Sequence, residues 1–94
     1  MNNKFPPIQG IRRVLQAESR RVGGHNLWTY NDETNTIWLY TSRPGVWIGM
    51  AGQNLKRIQQ LLDNEITKHN DLMNQIKIDD RVEKMTLKIV ECDY

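Results

Sequence analysis

Apolar residues recur at Ile8, Ile11, Val14, Leu15 and Val22, with arginines set among them. Steps near three and four residues predict an amphipathic helix. Gly23-Gly24 stops it. The period then shortens. Leu27-Trp28-Thr29-Tyr30 and Thr36-Ile37-Trp38-Leu39-Tyr40-Thr41 are rich in β-branched and aromatic residues, and the segment 31–35 between them is polar. That pattern predicts a β-hairpin. Alternation in its second strand sends Ile37 and Leu39 one way, Trp38 and Tyr40 the other. Ser42 is placed to cap a short helical turn entered through Arg43-Pro44. Helical spacing returns at Leu55, Ile58, Leu62, Ile66, His69, Leu72 or Met73, and Ile76, which predicts one long helix continuing beyond residue 70. Asp79-Asp80 ends it or opens a loop. Residues 85–90 alternate as a third strand. Residues 1–7 read as a loose, flexible lead-in, because Pro6-Pro7 cannot join a helix interior.

The predicted order is helix, strand, strand, short helix, long helix, strand. Three strands cannot bury an apolar face alone, so the helices must cover one side of the sheet. The class is α+β. With 94 residues, no repeat and no linker-like tract, residues 8–94 read as a single domain with one modest core and a helix-and-loop insertion at about 67–84. The second sheet face has nothing to cover it. Trp38 and Tyr40 are expected there, and a regular hairpin register is expected to add Trp28 and Tyr30. Four rings on an open face would mark a protein interface, either a homodimer or docking onto a larger assembly. A bulge that reversed the register would instead bury the aromatics. Leu72, Met73 and Ile76 extend the stripe of the long helix and are expected to pack on a partner, a second copy or the sheet edge.

Composition adds limits. Hydrophobic residues make up 38% and charged residues 26%, as in a soluble globular chain. No apolar run nears the ~20 residues of a membrane span, and the start has no signal-peptide core. Cys92 is the one cysteine, so an internal disulfide is impossible, and a reduced, cytoplasmic setting fits. Net charge is +2, unevenly spread. Residues 1–22 hold Lys4, Arg12, Arg13, Arg20 and Arg21 against Glu18, and residues 43–62 hold Arg43, Lys56 and Arg57 with no acid. The segments 23–42 and 63–94 are net negative. Basic charge therefore gathers on the first helix and around a glycine stretch. This suits a bound polyanion, or else an ordinary solvated surface.

That stretch is RPGVWIGMAGQNLKRI, residues 43–58. Gly49 and Gly52 bracket Met50-Ala51 just before the long helix. Glycine permits positive φ and close approach of another backbone. A glycine turn opening a helix leaves unpaired N–H groups where a phosphate can sit.

The segment TSRPGVWIGMAGQNLKRIQQLL (41–62), with IRRVLQAESRRVGG (11–24) before it and LKIVECD (87–93) after it, resembles a type II K-homology (KH) domain. The most similar family is the KH domain of the third protein of the bacterial-type small ribosomal subunit. RPG, an apolar triplet, IG, xxG and a Leu/Ile helix follow in that family's order. The resemblance implies a type II KH fold and binding of single-stranded RNA, ribosomal or messenger, with about four nucleotides clamped at the GxxG loop. It implies roles for Gly49, Met50, Ala51 and Gly52 in that loop. Backbone N–H groups of Ala51, Gly52 and Gln53 would meet phosphates. Arg43, Lys56 and Arg57, with Arg12 and Arg13, would neutralise them. Ile48 and Leu55 would line the floor under the bases, or belong to the core. The sequence departs from the family at Met50-Ala51, where the pair is usually basic, which weakens the salt-sensitive part of binding. Trp47 replaces a small aliphatic residue, as core or as a stacking ring. The family's second domain does not follow, so the chain reads as a fragment or as a stand-alone KH protein of the kind a virus or mobile element carries.

Other chemistry finds no support. His25 and His69 lie far apart, which gives no metal-ligand spacing, and no nucleophile–base string or phosphate-binding P-loop is present. Asp79-Asp80 reads as a solvated loop. No enzyme, metal or cofactor is expected. Two functions remain: an RNA-binding module acting through the glycine turn, or a protein-interaction module that kept the fold and lost RNA affinity.

Overall fold

The computed structural model describes residues 8–79 and 81–92. The expected lead-in 1–7 and Asp80 lie outside the described residues. Helix α1 spans Gln9–Val22, strands β1 and β2 span Asn26–Asn31 and Thr36–Thr41, and helix α2 spans Pro44–Ile48. A single 3₁₀ turn, Met50–Gly52, leads into helix α3, Gln53–Gln75, and strand β3 is Thr86–Glu91. This is the helix-strand-strand-helix-helix-strand order of a type II KH fold, in the α+β class.

The sheet order is β1-β2-β3. β1 pairs antiparallel with β2 through the hairpin, and β2 pairs parallel with β3. A parallel neighbour requires a crossover; α2, the glycine turn and α3 are that crossover. Ile11, Leu15 and Val22 of α1, Ile58, Leu62 and Ile66 of α3, Ile37 and Leu39 of β2 and Leu87 of β3 form one core with Trp47. Trp47 is fully buried, which settles it as core.

The hairpin corrects one expectation. Trp28 pairs with Leu39, and Tyr30 with Ile37. Directly opposed residues share a face, so Trp28 and Tyr30 lie on the helix side, opposite to Trp38 and Tyr40. Tyr30 is buried, and Trp28 packs partly buried against the core. Burial raises the Tyr30 phenol pKa, with help from Asp32 and Glu83. No bulge is involved. The segment between the strands sets the parity: Asn31 Oδ1 accepts the Glu33 and Thr34 N–H groups, and Asn35 takes a φ of 53°. The open face therefore carries Leu27, Thr29, Trp38, Tyr40, Lys88 and Val90, with the Lys88 ammonium 5.5 Å from the Trp38 ring centre.

α3 does run past residue 70. It ends as a Schellman motif: Lys77 takes φ 59°, Ile78 N–H bonds Met73 C=O at 2.9 Å, and Lys77 N–H bonds Asn74 C=O at 3.3 Å. The chain then returns along the helix. Asn70 clasps Val82 by both backbone groups, at 2.8 and 2.9 Å. Gln59 does the same across Met85 C=O (2.6 Å) and Leu87 N–H (3.0 Å), which seats β3 beside α3. Leu72, Ile76 and Ile78 remain exposed.

Candidate nucleic-acid interface

Pro44 occupies the first turn of α2, where its missing N–H has no consequence. Ser42 does not cap this helix; its Oγ accepts the His25 N–H at 3.0 Å, across the end of the hairpin. Below α2, Asn26 Oδ1 accepts both the Trp47 indole N–H (2.9 Å) and the Thr41 hydroxyl (2.6 Å). Trp47 is thereby fixed from the sheet side, and the turn that follows it has a rigid base.

α2 stops at Gly49, with φ 76° and ψ 175°, and Gly49 N–H bonds Gly45 C=O at 2.8 Å. Gly52 takes φ 73° and ψ 13° and becomes the N-cap of α3. Between them Ala51 is also left-handed, at φ 54° and ψ 26°. Met50 is 87% exposed, and Val46 and Ile48 beside it are exposed as well. Leu55 packs partly buried against the core, so the two floor candidates divide. The turn uses some of its own donors. Gly52 N–H bonds Gly49 C=O at 3.1 Å, and Gln53 N–H bonds Met50 C=O. Of the three N–H groups expected to face a phosphate, only that of Ala51 takes no part in these bonds.

The basic residues are not gathered as expected. Lys56 is exposed on α3. Arg43 lies across the end of α1, where its Nη1 donates to Val22 C=O at 3.1 Å. Arg12 and Arg13 are exposed on α1. α1 meets α3 through Gly10, which abuts Glu65, and through Glu18. Arg12, two residues beyond Gly10, stands on the other side of that helix.

Arg57 turns toward α1. Its Nη2 donates to Glu18 at 2.6 Å and to Asn54 Oδ1 at 2.8 Å. Arg21 binds the same carboxylate through Nε and Nη2 and also reaches Asn54 Oδ1 at 2.9 Å. The Asn54 amide N–H₂ faces Glu18 (3.2 Å) and the Val46 and Trp47 carbonyls (3.1 and 3.0 Å). Glu18 itself is buried. Burial alone would raise its pKa; the bonds from Arg21, Arg57 and Asn54, with the charge of Arg57, outweigh that and hold it below the usual carboxylate value. Glu18 and Asn54 thus tie α1, α2 and α3 together at the root of the glycine turn. Sequence reasoning passed over both. One signal was present: Glu18 follows Ile11 and Leu15 at core spacing on α1, so its carboxylate had to enter the interior with a cation.

A pocket of about 360 Å³ opens on this side of the turn, lined by Gly49, Met50, Gln53, Asn54 and Arg57. Among the described residues no cluster of three or more His, Cys, Asp or Glu side chains could hold a metal ion, and no helix is long and apolar enough to cross a membrane.

A family model, the KH domain, matches residues 11–90. No curated protein and no solved structure matches the chain. The matched span includes most of α1, the hairpin, the glycine turn, α3 and most of β3, and the chain belongs to the KH domain family, whose members generally bind nucleic acid.

Proposed function

We propose that the protein is a single-stranded RNA-binding module that holds the sugar-phosphate backbone at Gly49-Met50-Ala51-Gly52, on a ribosome-like assembly or on messenger RNA. The observation that carries this reading is the turn itself. Three of its four residues, at 49, 51 and 52, take positive φ and hold a bare, projecting loop at the start of a long helix. Its end carries positive dipole charge. Lys56 lies one turn in, and the exposed Ile48 supplies apolar surface for bases. The protein acts by binding, without a cofactor and without catalysis. An uncharged Met50-Ala51 pair makes the affinity modest, since each missing cation removes part of the counterion-release term.

The test is charge placed on the loop. Met50→Asp with Ala51→Asp is expected to abolish binding of a short single-stranded RNA while the fold persists. Met50→Lys with Ala51→Lys is expected to tighten binding and steepen its salt dependence. A flat response to both pairs of substitutions removes the loop from the RNA path.

A second reading has its own support: Val46, Ile48 and Met50 form an exposed apolar rim, which suits a protein ligand. Under that reading the aspartate pair breaks a protein complex and the lysine pair leaves RNA affinity unchanged.

A further inference from the structure

The withdrawal of Glu18 changes what α1 presents to solvent. The helix carries Arg12, Arg13, Arg20 and Arg21, all exposed, and its one acid is buried. Arg21 spends Nε and Nη2 on Glu18 and Asn54; Arg57 spends Nε and Nη2 on the same two residues. The two guanidiniums are therefore held side by side on shared acceptors. In each, these bonds leave over the Nη1 end, and the side chains are 57% and 47% exposed. Two cations share one carboxylate, so the cluster keeps a net positive charge.

We infer that Arg21 and Arg57 form a second phosphodiester-binding point, on the α1 side of the glycine turn, where one phosphate takes hydrogen bonds from the Nη1 groups of both. The planar fork of a guanidinium matches phosphate oxygens. The buried carboxylate and the Asn54 amide already fix both side chains, so little rotamer freedom remains to be lost on binding. Arg20 and Arg13 share the flank of α1 about 80–100° round from Arg21 and extend positive charge along the helix. A row of cations fits a ligand with repeated phosphates better than a lone carboxylate. The inference deepens the RNA-binding reading: a strand held at the glycine turn continues over the C-terminal half of α1.

An abasic phosphodiester chain of about 12 units, the length scale of single-strand sites, separates the two contacts. The Arg21 and Arg57 Nε–H resonances report the pair, and the backbone N–H resonances of residues 49–53 report the turn. Saturable movement of both arginine signals is the expected result, with the movement of the Arg57 signal lost in Arg21→Gln. If the turn signals move and the arginines stay still, this inference is overturned and the turn reading stands. If the arginines move and the turn stays still, the pair is supported and the turn reading falls. Silence from both overturns both. An oligoglutamate of equal charge that moves the arginines as far would assign them to acidic peptides and overturn the phosphodiester assignment. In parallel, Arg21→Gln is expected to reduce the salt slope by about one for an RNA of about 12 nucleotides, and to leave an RNA of about 4 nucleotides unaffected. An unchanged slope on the longer RNA counts against the pair.

Discussion

A β-carbon placed on Gly49 would stand 2.7 Å from the Cβ of Asn54 and 2.9 Å from its backbone nitrogen. Gly49 is thus held to glycine twice, by its φ of 76° and by this contact. Gly52 has a similar φ, 73°, but open space around it. The two glycines of the turn are not equivalent. Gly49→Ala is expected to cost about 3 kcal/mol and Gly52→Ala about 1 kcal/mol, since only the first adds a clash to the left-handed penalty. Urea denaturation of the two variants measures the difference; equal losses would contradict it.

Glu18→Gln should unsettle the turn at neutral pH and matter little in acid. The lowered pKa of Glu18 means that its ionised form stabilises the fold above the unfolded carboxylate value, and that this contribution fades as pH falls through the folded value. The loss at neutral pH is expected to be about 2 kcal/mol, because the carboxylate is buried while both its arginines remain half in water. Stability curves of parent and variant should converge below the ordinary carboxylate range. A gap that stays constant with pH would show that shape, not charge, is what Glu18 supplies.

At the far end of α3, Lys77 occupies a left-handed position that glycine normally fills. Lys77→Gly is expected to stabilise the protein by about 0.5–1 kcal/mol, the left-handed strain relieved less the added freedom of the unfolded chain. A thermal melt showing a lower midpoint would argue that Lys77 makes a contact outweighing its backbone.

The hairpin register separates the aromatics into two classes with different mutational costs. Tyr30→Thr removes a buried ring and is expected to cost about 3 kcal/mol. Trp38→Thr, on the uncovered face, is expected to cost about 1 kcal/mol or less, through lost cross-strand packing and the Lys88 contact. The ordering of the two midpoints in denaturant checks the register directly. If Trp38 and Tyr40 serve a homodimer or another partner, Trp38→Thr also releases it, read as mass in solution.

Much of this was legible in the residues. Ile11, Leu15, Ile37, Leu39, Ile58, Leu62 and Ile66 lie in the core where their spacing placed them, because period alone decides which side of an element is apolar. The glycine turn announced itself because no other residue tolerates φ 76° beside Asn54. The side of the sheet taken by Trp28 and Tyr30 was not legible, since it depends on whether an even or odd number of residues joins the strands in pairing. Nor were the partners of Arg57 and Ser42. Their bonds cross to Glu18 and His25, on other elements, and long-range polar pairing leaves no periodic trace. Arg57 looked like a free cation for that reason.

The parallel pairing of β3 with β2 has a consequence for how the fold is reached. α1 and the hairpin are built from neighbours in the chain and can form early. The third strand has no place to dock until the whole crossover has been laid across the sheet, and Gln59 and Asn70 cannot close on residues 82–87 before those residues arrive. The glycine turn lies inside that crossover. A nascent chain lacking residues 86–91 therefore already holds the loop and the Glu18–Asn54 tie at its root, but the crossover that carries the loop stays unanchored at its far end until the long-range pairing of β3 with β2 is made.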